Sequence, residues 1–302
     1  MKKLLVILLG LLTVATTEGW AQRAGQRMSI FGGGARGTGR QYSKHFHNLD
    51  VGAGMGYHSV QFKLDGDGSK KGRVGFNVIA NYRIAMFERV HFTAGLGLTS
   101  YSAMSEYDNL LEEVPNVDPE NGETYTFKAS FHDWNELQRS MDLEVPVGAY
   151  YMYPIRHSMW RFVAGGGIKM DIPVSKKYKT KNSKSDGKLV RSGEFESTNV
   201  EYYNLPQHGF FNSTEYEGKA TMKAAGLSLF GDIGMMTSLG KTSNSLYFGV
   251  YFSHSLLNSL KGEGLNLYDP KDDSYCGIVS SNLVDKTHLM AVGARVAYCF
   301  GF

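Results

Sequence analysis

Residues 292–302 read Val-Gly-Ala-Arg-Val-Ala-Tyr-Cys-Phe-Gly-Phe, and their order decides the architecture. Val292, Ala294, Val296, Tyr298, Phe300 and Phe302 fall on one side of an extended chain. Gly293, Arg295, Ala297, Cys299 and Gly301 fall on the other. Successive side chains of a strand point to opposite faces, so this period of two describes a strand with one apolar face and one face that tolerates a charge.

The same alternation recurs upstream over 49–62, 73–87, 90–101, 141–153, 160–174, 220–236 and 245–255, and the last segment extends back to Leu289. The clearest case is 73–86. Val74, Phe76, Val78, Ala80, Tyr82, Ile84 and Met86 share one face, while Arg73, Asn77, Asn81 and Arg83 lie on the other. Across the segments the second face is built from glycine and isolated charges, such as Gly95 and Gly97, Asp142 and Glu144, or Gly165, Gly167, Lys169 and Asp171. Small residues of this kind leave room for paired charges inside a narrow closed interior. Short connections (88–89, 154–159, 237–244) alternate with long ones (102–140, 175–219, 256–288), the asymmetry of barrels with short turns at one rim and long loops at the other. The expected fold is all-β: a transmembrane antiparallel up-and-down barrel of eight strands over 49–302. Ten strands remain the alternative if two more lie in 22–48 or in a long loop. An even count places both chain ends on the periplasmic side.

The other end of the chain agrees with export. Met1-Lys2-Lys3 precedes about nine apolar residues, too few for a membrane helix. Residues 1–21 are therefore expected to be a signal peptide, removed before Gln22, and 22–48 a periplasmic or barrel-mouth segment. The formal charge of +3 leaves no footprint for nucleic acid. The topology puts Cys276 and Cys299 at opposite ends of the barrel, so no bridge between them is expected.

Tyr298, Phe300 and the terminal Phe302 resemble the signal that outer-membrane barrels present to their assembly machinery. Leu143-Glu144-Val145-Pro146-Val147, entering a strand that restarts after a short turn, is similar to a recurring segment of small barrels of the OmpA-like or OmpX-like transmembrane type, in the porin-family form common among Bacteroidetes. This resemblance implies a cell-envelope protein of the Gram-negative outer membrane. Its partners would be outer-membrane lipid and lipopolysaccharide, the barrel-assembly machinery and a further outer-membrane protein.

An eight-stranded barrel is filled by its own side chains. Arg73, Arg83, Arg161, Lys169 and Arg295 are expected to pair with Asp142, Glu144, Asp171 and Asp232 as a lumen charge network that plugs the interior. Aromatic rims are expected from Phe87, Tyr151, Tyr153, Trp160, Tyr298, Phe300 and Phe302 at one end, and from Tyr57, Phe62, Tyr101 and Phe252 at the other. Function falls to the external loops. Asp108, Glu112, Glu113, Asp118, Glu120 and Glu123 make one loop acidic; Lys176, Lys177, Lys179, Lys181, Lys184, Lys188 and Arg191 make the next basic. A basic rim suits lipopolysaccharide phosphates. The reading is a structural or surface-interaction protein; the alternatives are a small pore or receptor subunit of a transport or secretion complex and, behind it, a lipid-modifying hydrolase. Catalysis is not expected, because Ser253 and Ser255 face away from His254 on a strand, and His58-Ser59 has the same defect. No spacing for a metal or cofactor is present.

Overall fold

The computed structural model describes residues 47–118, 122–180, 188–203, 215–240, 242–259, 265–270 and 274–302. The expected signal peptide, all of 22–48 before His47, and Lys181 and Lys184 lie outside them.

Thirteen strands make up the described chain. They are β1 (His47–Phe62), β2 (Ser69–Ala85), β3 (Val90–Val117), β4 (Thr124–Pro154), β5 (Trp160–Thr180), β6 (Lys188–Phe195), β7 (Val200–Tyr203), β8 (Glu217–Gly218), β9 (Gly226–Ser238), β10 (Ser245–Ser255), β11 (Tyr268–Asp269), β12 (Ser274–Tyr275) and β13 (Thr287–Gly301). Eleven of them form one antiparallel sheet that closes on itself. Following the pairings from β1 through β2, β3, β4, β5, β9, β10 and β13 leads back to β1. β6 and β7 continue the sheet from the far part of β4, and β8 borders β5. Closure gives every strand of the ring two partners, so the ring exposes no row of unpaired backbone groups.

Tight turns join the strands at the end that carries Phe302. The amides of Met86 and Phe87 both donate to the carbonyl of Val90 at 3.1 Å, Ile155 donates to Trp160 at 3.1 Å, and Gly240 supplies a left-handed φ of 63° between β9 and β10. Strand β13 keeps the expected alternation: Arg295, Ala297 and Cys299 are buried, while Val292, Ala294, Val296 and Phe300 are exposed. Gly56 and Gly293 sit directly opposite each other across β1 and β13. A Cβ on Gly56 would overlap the Val292 carbonyl and the Gly293 Cα, so bare backbone is what permits this approach.

The opposite end differs from expectation. Residues 102–140, anticipated as a connection, are mostly strand, because β3 runs 28 residues and β4 runs 31. At about 3.3 Å per residue, β3 is ~90 Å long, far more than the ~25 Å of an apolar band. The alternation continues beyond the ring: Tyr101, Ala103 and Tyr107 of β3 and Tyr125, Phe127, Ala129 and Phe131 of β4 are buried on one side. The acidic residues between them had masked that pattern. Likewise, 175–219 contributes the end of β5 and strands β6, β7 and β8, and β9 begins at Gly226 rather than at Ala220. Within 256–288, β11 pairs with β12 and a 3-10 turn covers Ile278–Ser280.

Two apolar clusters result. A small one near the Phe302 end contains Tyr150, Met152, Val163, Met236, Tyr247, Ala297 and Cys299. A larger one at the far end unites the projecting hairpin with 265–270 and 274–284, through Phe127, Phe131, Trp134, Leu267, Tyr268, Tyr275 and Ile278. Cys276 and Cys299 are free thiols.

Candidate functional site: the charged interior and its covered mouth

Strand parity turns one side chain in two toward the inside of the ring, and there the polar residues gather. Asp232 on β9 accepts from the Arg295 guanidinium, from the Tyr247 hydroxyl at 2.6 Å and from Tyr150 at 3.4 Å. Arg295 also lies over the Tyr251 ring, 4.5 Å from its centroid. Arg83 donates to Asp50 at 2.9 Å. Lys169 pairs with Glu144 and lies 3.5 Å from Asp171, while Tyr101 donates to Glu144 at 3.0 Å and Ser228 donates to Asp171. An ion withdrawn from water needs a partner and further hydrogen bonds to offset its desolvation; the Asp232 and Glu144 clusters supply both, while the Nε of Arg83 and of Arg295 has no partner among the described residues.

Seven of the nine residues expected in the lumen network are buried: Arg83, Asp142, Glu144, Lys169, Asp171, Asp232 and Arg295. Arg161 is half-buried toward the Phe302 end. Arg73 does not join. It stands in register with His58, yet it is exposed, because β2 carries a register shift between Gly72 and Asn77 and a bulge re-aims the side chain. Asp142 is fully buried with a hydrogen bond from Ser140, and its second carboxylate oxygen has no partner among the described residues.

Several members escaped the sequence reading. Asp50 shares the inward parity of Gly52, Gly54 and Gly56, a signal that was available. Tyr101 and Phe62, expected at a rim, are buried at 1% and 8% exposure. Phe87, Tyr151, Tyr153, Trp160, Phe300, Phe302, Tyr57 and Phe252 are exposed as expected, and Tyr298 is half-exposed. His58 receives the Tyr251 hydroxyl at Nε2 and donates from Nδ1 to the Ser100 carbonyl at 3.0 Å. A carbonyl can only accept, so the proton sits on Nδ1. His254 is exposed and stacks on His288, with ring centroids 5.8 Å apart, while Ser253 and Ser255 are buried on the other face.

Among the described residues, cavities of about 20 and 30 Å³ lie between the clusters. Each has room for a water molecule or two. On the side opposite Phe302, residues 265–270 and 274–284 pack against the far parts of β3 and β4. Glu136 of β4, wholly buried, accepts from the Tyr275 hydroxyl at 2.6 Å, the Ile278 amide at 3.0 Å and Gln138 at 2.8 Å. Trp134 donates to the same Tyr275 hydroxyl at 2.9 Å. Glu112 of β3 accepts the amides of Leu267 at 2.7 Å and Tyr268 at 2.9 Å. Burial raises both carboxyls above the usual range, and these donors offset part of the rise. Of the expected acidic and basic loops, Glu112 thus holds this segment and Arg191 lies over the Tyr268 ring, 4.7 Å from its centroid, while Lys176 donates to the carbonyls of Met222 at 2.7 Å and Lys223 at 2.8 Å.

No protein-family model and no curated protein matches the sequence. Among solved structures, the translocator domain of the autotransporter NalP from Neisseria meningitidis is similar at 12% identity, over 95% of this chain and 98% of that one, with a TM-score of 0.24. At that score the likeness carries no argument about this chain.

Proposed function

We propose that this chain is an integral outer-membrane β-barrel of eight strands, with its chain ends in the periplasm, its lumen plugged by side chains, and a non-enzymatic structural or surface-interaction role borne by the projecting far end. One observation carries the reading: the ring is inverted relative to a water-soluble protein. Its outward positions expose Met55, Val74, Val78, Ile168, Ile233, Val250 and Val296, with Val74 at 76% and Met55 at 66%, while its inward positions hold ion pairs. An apolar surface of that extent would be costly in water, whereas hydrocarbon solvates it and demands the closed backbone pairing seen here. The terminal aromatics and Leu143–Val147, which resemble small outer-membrane barrels, agree.

The plugged reading draws on the small cavities, the paired interior and the packing of 265–270 and 274–284 against β3 and β4. Refolding into phospholipid vesicles tests the membrane assignment. The ring strands should resist added protease, and the folded form should run faster than the boiled form on a denaturing gel. A mature chain that stays soluble and monomeric without detergent refutes it. Planar-bilayer recordings test the plug, which a large, steady conductance would exclude.

A further inference from the structure

We propose that the outward face of β4, β5 and β8, immediately beyond the apolar band on the side opposite Phe302, is a binding groove for the phosphorylated sugar headgroup of outer-leaflet lipopolysaccharide. The inference rests on the membrane reading above and gives it a specific lipid partner.

Register places the charges. Met141 stands opposite Ser175 at the edge of the apolar wall, and two residues further along Arg139 stands opposite Lys177. Lys179 follows on the same face of β5, in register with Glu217 of β8, and Lys219 continues outward from there. These side chains border a cavity of about 420 Å³ with Leu137, 4% exposed, at its floor. Glu217 pairs with Lys179 at 3.4 Å, and it is the one acid that lines the groove among the described residues. Arg139, Lys177 and Lys219 have no ion pair or hydrogen bond among the described residues. Like charges facing each other across two strands are destabilising, so the Arg139 and Lys177 pair calls for an anion between them.

The chemistry of that anion follows from the surroundings. A guanidinium offers a planar fork that matches two phosphate oxygens, and the two ammonium groups add point charges from either side. A volume of a few hundred Å³ suits a sugar phosphate. Below the groove the surface turns apolar, with Val174 at 66% exposure and Met170 beside it, where acyl chains of the same molecule would lie. A soluble phosphate would use only the cations; a phosphorylated glycolipid uses both zones.

The full chain in detergent is titrated with three probes: lipid A carrying its phosphates, lipid A stripped of them, and inorganic pyrophosphate. The test variant is Arg139→Gln/Lys177→Gln/Lys219→Gln. The control is Lys71→Gln/Lys286→Gln, which removes charge elsewhere on the same end. Each lysine or arginine near an anionic surface contributes enough that the triple variant should lose about tenfold or more in affinity for intact lipid A. The control should stay within about twofold, and dephosphorylated lipid A should bind the wild-type chain about as weakly as intact lipid A binds the triple variant. Unchanged affinity in the triple variant overturns the proposal, and so does pyrophosphate binding as tightly as lipid A. Should the triple variant misfold, Lys177→Gln alone must weaken binding by about threefold or more. Vesicle insertion is scored separately: a chain that inserts but ignores the phosphates refutes the groove alone, and a chain that fails to insert refutes the barrel.

Discussion

Removing Asp232 should cost far more than its one carboxylate suggests, and the geometry sets the size of the effect. Asp232 is 2% exposed and receives Arg295, the Tyr247 hydroxyl at 2.6 Å and the Tyr150 hydroxyl at 3.4 Å. Asp232→Leu strands a buried guanidinium, which costs about 3–5 kcal/mol, and leaves the Tyr247 hydroxyl unsatisfied for roughly 1 kcal/mol more. Arg295→Met leaves the carboxylate with two hydroxyl donors, so its cost should be smaller, about 2–3 kcal/mol. Replacing both partners with apolar side chains of similar size should come within about 1–2 kcal/mol of the wild type. The coupling between the sites is then several kcal/mol and opposite in sign to the sum of the single losses. Urea unfolding in phospholipid vesicles, followed by tryptophan fluorescence, measures all four corners of the cycle. If the single changes add to the double change within about 0.5 kcal/mol, the two side chains are independent and the paired interior is wrong.

Three further outcomes are expected. Val250→Arg, on the outward face of β10 at 58% exposure, should cost about 2–4 kcal/mol in a bilayer; a neutral result would deny that lipid contacts this face. Gly56→Val should block the close approach of β1 to β13 and leave the chain largely unfolded by circular dichroism, whereas an unaltered folded yield would show that the two strands can separate at no cost. Burial of Glu136 keeps its proton on to a higher pH in the folded state than in the unfolded chain. The folded state then binds more protons across that window, so stability falls as pH rises from the ordinary glutamate range through the raised value, and returns on acidification. Hydrogen exchange at the Ile278 amide should report this slope, and Glu136→Gln should flatten it; an identical slope in the variant assigns it to other groups.

Much of the wall was legible because side-chain parity belongs to the backbone one strand at a time. From Val292–Phe302 alone, alternation separates the outward valines and aromatics from Arg295 and Cys299, and the structure keeps that division. The same rule put Arg83, Glu144, Lys169, Asp171 and Asp232 on the inside without any knowledge of their partners. Which of them meet is another matter. Arg83 finds Asp50, and Lys169 finds Glu144, through the register of neighbouring strands, and Arg295 of β13 finds Asp232 of β9 across the ring, none of which a local pattern encodes. Arg73 shows the limit of parity itself, since one extra residue in β2 turns it out of the interior. The far end depended most on tertiary structure. Residues 102–140 read as a charged loop, yet burial against Leu267, Tyr268, Tyr275 and Ile278 gives their alternating aromatics a core. Glu136 has no sequence signal of its own; only the fold brings Tyr275 and Ile278 within reach of it. Which face each residue takes is thus written along the chain, while what each face touches is set by closure of the ring and by the packing of 265–270 and 274–284 against β3 and β4.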